Sequence, residues 1–176
     1  YLDAANEYSR AIKLDPNNLE YWGGRAFAVL RWGDNDGAIR DYTKVIEFNP
    51  DNASAWHGRG EGFRGKYEHD AAIRDYTKAI ELDPKNRLYF WHRGFAFNEK
   101  EEYDAAIRDY KKAIELDPIH ASNWRLKWDV LNALKAKGDH GAAAQEFLEW
   151  NTRQKAKARN QDHFVGAEKH GGASVE

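Results

Sequence analysis

The stretch Ala72–Pro84, A-I-R-D-Y-T-K-A-I-E-L-D-P, decides how the rest of the chain is read. It recurs at Ala38–Pro50 as A-I-R-D-Y-T-K-V-I-E-F-N-P and at Ala106–Pro118 as A-I-R-D-Y-K-K-A-I-E-L-D-P. A looser copy, A-A-N-E-Y-S-R-A-I-K-L-D-P, fills Ala4–Pro16. The chain has four prolines, Pro16, Pro50, Pro84 and Pro118, and each follows the last by 34 residues. A fixed period of this size is the signature of stacked supersecondary units.

Within the stretch, Ala72, Ile73, Tyr76, Ala79 and Ile80 fall on one face of a helix, and Arg74, Asp75, Lys78 and Glu81 are expected on a solvated opposite face. The helix is expected to begin near Asp36, Asp70 or Asp104, whose carboxylates would accept from unpaired first-turn amides. It ends where proline removes a donor and restricts the residue before it. The segments in between also align. Trp22, Trp56, Phe90 and Trp124 share the period; Ala26, Gly60, Gly94 and Trp128 come four residues later, and Val29, Phe63, Phe97 and Leu131 three further on. That spacing makes one face of a preceding helix, with a small residue where another helix comes close. Asn18, Asn52 and Asn86 are placed to cap this first helix, with His120 as a poorer substitute in the last unit. The loops are short, so successive helices pack antiparallel.

The pattern resembles the tetratricopeptide repeat family, whose motif runs W-x2-L-G-x2-Y, then A-x3-F, then P. One unit matches as Trp56, Gly60, Phe63, Ala72, Tyr76 and Pro84, its neighbours as Trp22, Ala26, Val29, Ala38, Tyr42 and Pro50, and as Phe90, Gly94, Phe97, Ala106, Tyr110 and Pro118. Where the motif has leucine, this chain has Arg25, Arg59, Arg93 and Lys127, a uniform departure. The resemblance implies an all-α, right-handed superhelical solenoid of antiparallel helix pairs. Residues 1–16 are then the second helix of a first unit, 17–50, 51–84 and 85–118 three full units, 119–159 an atypical capping unit with a helix extension, and 160–176 a flexible tail. In the last unit Trp128 replaces a small residue and Gly138 falls three residues late, with Ala143 and Phe147 standing in for the A-x3-aromatic pair. The start at Tyr1, partway through a unit, and the lack of methionine lead us to expect a piece of a longer protein.

One helical hairpin buries too little to stand alone, so neighbours stack, and the stack curves. The resemblance implies that the first helices line a concave groove for a peptide segment or partner protein, in a scaffold or adaptor role without chemistry. Projecting the family's groove positions gives Phe27, His57, Glu61, Arg64, Trp91, His92, Phe95, Asn98, Arg125 and Asp129 as partner-binding residues, with Gly23, Gly24, Gly58, Ser54, Leu88, Ser122 and Asn132 beside them. Phe27, Trp91 and Phe95 are the aromatic anchors, and the glycines are expected to leave a bare wall that a ligand backbone can approach. Of Gly58, Gly60, Gly62 and Gly65 in one helix, only Gly60 has an evident packing reason. Alternative readings are a self-associating module, or the interaction domain of a larger enzyme.

Several chemistries are set aside. Lysines and asparagines that clamp a C-terminal carboxylate in some relatives are replaced here by Gly23, Phe27, Gly58, Leu88 and His92. His57, Glu61 and His92 are donors of the zinc type, but with no visible fourth ligand or supporting partners we expect no metal and no cofactor. His69, His140, His163 and His170 read as exposed. The net charge of −2 and the scattered cations of Arg153–Arg159 speak against nucleic acid, and no apolar run approaches the roughly 20 residues that a membrane span needs. Cysteine is absent, so thiol chemistry is excluded.

Overall fold

The computed structural model describes residues 1–118, 123–150 and 152 of the chain. His120, Ser122, the basic run from Arg153 and the tail lie outside the described residues. Every regular element among them is a helix: α1 (Leu2–Leu14), α2 (Leu19–Trp32), α3 (Asn35–Phe48), α4 (Ala53–Gly65), α5 (His69–Leu82), α6 (Arg87–Glu99), α7 (Tyr103–Leu116) and α8 (Asn123–Ala136), followed by α9 over residues 140–150. Each helix packs on the one before it. In addition α4 touches both α2 and α6, so the first helices of successive pairs share one wall.

The caps follow local chemistry. The side chains of Asn18, Asn52 and Asn86 accept from the amides of Glu20, Ala55 and Leu88. The aspartates expected to cap the second helices do something else. Asp34 caps α3 by accepting from Gly37, and Glu68 and Glu102 occupy the cap positions of α5 and α7. Asp36, Asp70 and Asp104 sit within the first turn, where the helix dipole favours them, and pair with Lys66, Lys100 and Lys137 across to the next unit. Gly33 and Gly138 end α2 and α8 with φ of 98° and 87°, the left-handed turn that glycine adopts without strain.

The core is a run of small and aromatic residues: Ala38, Ala72 and Ala106 against Tyr42, Tyr76 and Tyr110. The small residues of the first helices are where these rings lie, with Gly60 under Tyr76 and Gly94 under Tyr110. The other glycines of α4 prove to be packed too. A Cβ on Gly58 would meet the Tyr42 ring, one on Gly62 the Ile39 side chain, and one on Gly65 the Asn35 amide. Gly24 is covered by Tyr8 in the same way, so the bare wall expected at Gly24 and Gly58 is filled from within; Gly23 alone of the three stands open.

The uniform departure from the family pattern also has a cause. Arg25, Arg59 and Arg93 each grip an aspartate 16 residues on, Asp41, Asp75 and Asp109, through two hydrogen bonds of 2.6–2.9 Å. Each also donates to a hydroxyl 16 residues earlier, Ser9, Thr43 or Thr77. One guanidinium thus ties three helices, and it lies over the ring of Trp22, Trp56 or Phe90. Asp75, expected on the solvated face, is only 4% exposed.

Candidate functional site

The positions expected to line a groove fall where the 34-residue repeat stops repeating. Positions 23, 57, 91 and 125 are Gly, His, Trp and Arg; positions 24, 58, 92 and 126 are Gly, Gly, His and Leu; positions 27, 61, 95 and 129 are Phe, Glu, Phe and Asp. All lie on the first helices α2, α4, α6 and α8. Stacking these helices brings the odd residues of one unit against those of the next.

At the α4–α6 joint this produces a polar cluster. His57 Nε2 lies 2.6 Å from His92 Nδ1, so one ring donates and the other accepts. The His92 nitrogen is also 3.4 Å from Glu61 Oε1. The same carboxylate accepts from the Tyr76 hydroxyl and from Arg64, at 3.4 Å from Nε and 3.2 Å from Nη2. Aromatic rings wall the cluster: Tyr89 packs on His57 with centroids 5.0 Å apart, Trp91 on His92 at 5.1 Å, and Arg64 lies over Phe95 at 5.2 Å.

Burial sets the protonation states. It lowers the His57 imidazole to about 4, helped by the neighbouring His92 ring, and it lowers His92 as well. Both rings are therefore neutral at neutral pH. Burial alone would raise the Glu61 carboxyl, but the His92 ring, the Arg64 guanidinium and the Tyr76 hydroxyl outweigh it and hold it at about 2. Burial and the Glu61 charge push the Tyr76 hydroxyl up, so it stays a donor.

The network continues to α8. The Trp91 indole donates to Asp129 at 3.1 Å, and Arg125 lies over the Trp91 ring at 5.6 Å. Burial raises the Asp129 carboxyl against the opposing effects of Trp91 and Arg125. Of the ten residues that sequence places in the groove, His57, Glu61, Arg64, Trp91, His92, Phe95, Arg125 and Asp129 join in this one chain of contacts. Phe27 stands apart on α2, 55% exposed, and Asn98 sits in the last turn of α6, its carbonyl accepting from Glu101. Sequence reasoning missed Tyr76, which reads as core, and Tyr89, which the repeat pattern does not single out. His57 and His92, expected as partner contacts, are largely enclosed. His69, expected in solvent, is also half-buried, with Nδ1 3.3 Å from the Glu99 carboxylate, whereas His140 is exposed.

His57, Glu61 and His92 offer donor atoms that all lie within 4.8 Å of one another, the one such His/Asp/Glu group among the described residues. No helix among those residues is long and apolar enough to cross a membrane.

Two stretches match the tetratricopeptide repeat, residues 53–86 and 92–120. Residues 36–62 match the protein prenyltransferase alpha subunit repeat. That match spans α3 and most of α4, the same helix–turn–helix read half a period out of phase. No curated protein matches the chain in sequence. Among solved structures, a crystal structure of MamA is 24% identical over 88% of this chain and 89% of that one, with a TM-score of 0.78. MamA from Desulfovibrio magneticus RS-1 is 19% identical over 88% and 85%, at 0.77. The Arabidopsis OM64 TPR domain is 26% identical over 66% of this chain and 94% of that one, at 0.62. The likeness to MamA is one of fold.

Proposed function

Because this chain belongs to the tetratricopeptide repeat family and folds as its right-handed superhelical solenoid, a protein-interaction scaffold, we propose that it binds a segment of a partner protein along the wall formed by α2, α4, α6 and α8. One observation carries this reading. Eight groove side chains from three units form a continuous, internally hydrogen-bonded surface, so the wall is organised before any partner arrives. A preorganised surface avoids ordering costs on binding. The enclosed members, His57, His92 and Glu61, shape it. Arg125, the member open to solvent, and Phe27, exposed on α2 beyond the connected surface, are the contacts left for a partner. We assign it no catalytic step, since Glu61 has both oxygens engaged and, held at about 2, is a poor base.

A selection of displayed peptides on the immobilised chain, followed by fluorescence anisotropy of the peptides recovered, tests the reading. Phe27→Ala and Arg125→Ala should each weaken binding by about tenfold or more, as anchor residues do, with the fold unchanged because both side chains are exposed. Peptides that bind both variants as well as the parent would remove the groove from consideration.

A second reading, self-association, is favoured by the far end of the stack. There Trp128 is 51% exposed and shares an apolar hollow with Leu131, Ala143 and Phe147. Light scattering over a concentration series checks it. A monomer at every concentration, or an oligomer that survives Trp128→Glu, removes that hollow as the contact.

A further inference from the structure

We propose that His57, Glu61 and His92 hold a divalent transition-metal ion, zinc first, at the joint between α4 and α6. Two imidazole nitrogens and one carboxylate oxygen are a donor set of the zinc type, and harder ions such as calcium or magnesium prefer oxygen alone. His57 and Glu61 stand four residues apart on one face of α4, and His92 reaches them from α6. Bonds of about 2.0–2.1 Å in a tetrahedral arrangement separate ligand atoms by roughly 3.3 Å. His92 Nδ1 and Glu61 Oε1 are already at 3.4 Å. His57 Nε2 and His92 Nδ1, at 2.6 Å, meet over a shared proton. An ion in that proton's place would spread them by about 0.7 Å and turn the two rings, which now face each other almost in line, toward a common point.

The supporting partners that such a site needs are present. Tyr76 and Arg64 orient the carboxylate, and the Tyr89 and Trp91 rings pack on the two imidazoles. The ring that now carries the shared proton must give it up at that nitrogen before both lone pairs face the ion. The fourth position falls to water or to a donor on whatever occupies the groove. One feature works against the ion: the Arg64 charge lies beside the ligand carboxylate. It limits affinity, and it gives the site a signature that a structural hydrogen-bond cluster lacks.

The test uses the purified chain with no partner, so its outcome is separate from that of the groove reading. Zinc is titrated against a coloured chelator, and cobalt(II) is followed by its visible spectrum. The expected result is one equivalent per chain, with a tetrahedral cobalt spectrum. His92→Ala and Glu61→Gln should each weaken binding by about 100-fold, and Glu61→Gln keeps an oxygen for Tyr76, so circular dichroism should report an intact fold. His140→Ala should change nothing. Arg64→Gln should tighten zinc binding several-fold, roughly as removal of one nearby like charge predicts, even though it loosens the cluster. No uptake at millimolar zinc overturns the proposal. So does equal uptake by the parent and His92→Ala, which would put the ion on another histidine. Binding by Glu61→Gln as tight as the parent's would overturn Glu61 as the ligand.

Discussion

The three inner joints of the stack and the last one are made of corresponding residues with different outcomes. At the inner joints an arginine on the first helix is clasped by a buried aspartate and a hydroxyl, as Arg59 is by Asp75 and Thr43. At the last joint the same three places hold Lys127, Glu146 and Lys111, once the three-residue lengthening that delays Gly138 is counted. There Lys111 bridges directly to Glu146, both of them open to water. The inner arrangement is a planar fork with its partners enclosed, and the outer one is a flexible ammonium on the surface. What separates them is burial and geometry, since both joints carry opposite charges. A bidentate pair out of water leaves an uncompensated charge when broken, whereas an exposed pair leaves only water to fill the gap.

The largest expected effect tests that contrast directly. Arg59→Ala should lower the free energy of unfolding by about 3–5 kcal/mol, because Asp75 stays behind in a buried place. Lys111→Ala should lower it by less than about 1 kcal/mol. Urea denaturation with a constant slope checks both, and comparable losses would break the comparison.

The period, the helices, the asparagine caps and the small-residue contacts could all be read from the chain, because each depends on residues near in sequence. The arginine–aspartate grip was legible only in part. Its 16-residue spacing recurs three times, yet Asp75 lies among Arg74, Lys78 and Glu81, and on a helical wheel it belongs to the polar face. Only the neighbouring helix turns that position inward. Gly58 and Gly65 were obscure for the same reason, since the residues that need their space, Tyr42 and Asn35, belong to the unit before. Eight members of the cluster were legible as expected groove positions, but the bonds among them were not. Tyr76 carries the aromatic of the repeat, and nothing in the pattern says that its hydroxyl ends on Glu61.

Acid should sharpen the comparison next. The buried histidine and carboxylate of the α4–α6 joint have no enclosed counterpart among the described residues of the last joint. His57 is lowered from 6.5 to about 4 in the folded chain, so the unfolded chain takes up a proton that the folded one refuses. Its contribution is therefore complete above pH 6.5 and is lost as pH falls toward 4. Glu61 is lowered from 4.5 to about 2, and its contribution is lost between those values. Both act in one direction, and stability should fall by roughly 2 kcal/mol from pH 6.5 to pH 4, measured with a chelator present. The fall should shrink in His57→Gln. A profile unchanged by that substitution, or one in which acid loosens α8 before α4, would contradict the assignment of the acid-sensitive region.

The smallest effects come from adding one methyl group to a glycine at each kind of joint. Alanine is the better helix former by about 1 kcal/mol, so an open helical glycine should gain stability on substitution. Gly141, in the first turn of α9, has nothing nearer than the Asp139 carboxylate at 3.9 Å, and Gly141→Ala should gain about 0.5–1 kcal/mol. At Gly58 the same methyl would fall 2.3–2.8 Å from the Tyr42 ring. That ring packs with Ala26, Ala38 and Ala55 in its own cluster, and displacing it would disturb those contacts. Overpacking of about 1–3 kcal/mol then outweighs the helical gain, and Gly58→Ala should lose stability. Thermal melts of the two variants should move in opposite directions. If both rise, the Tyr42 ring has somewhere to go, and the inner joints are looser than their hydrogen bonds imply.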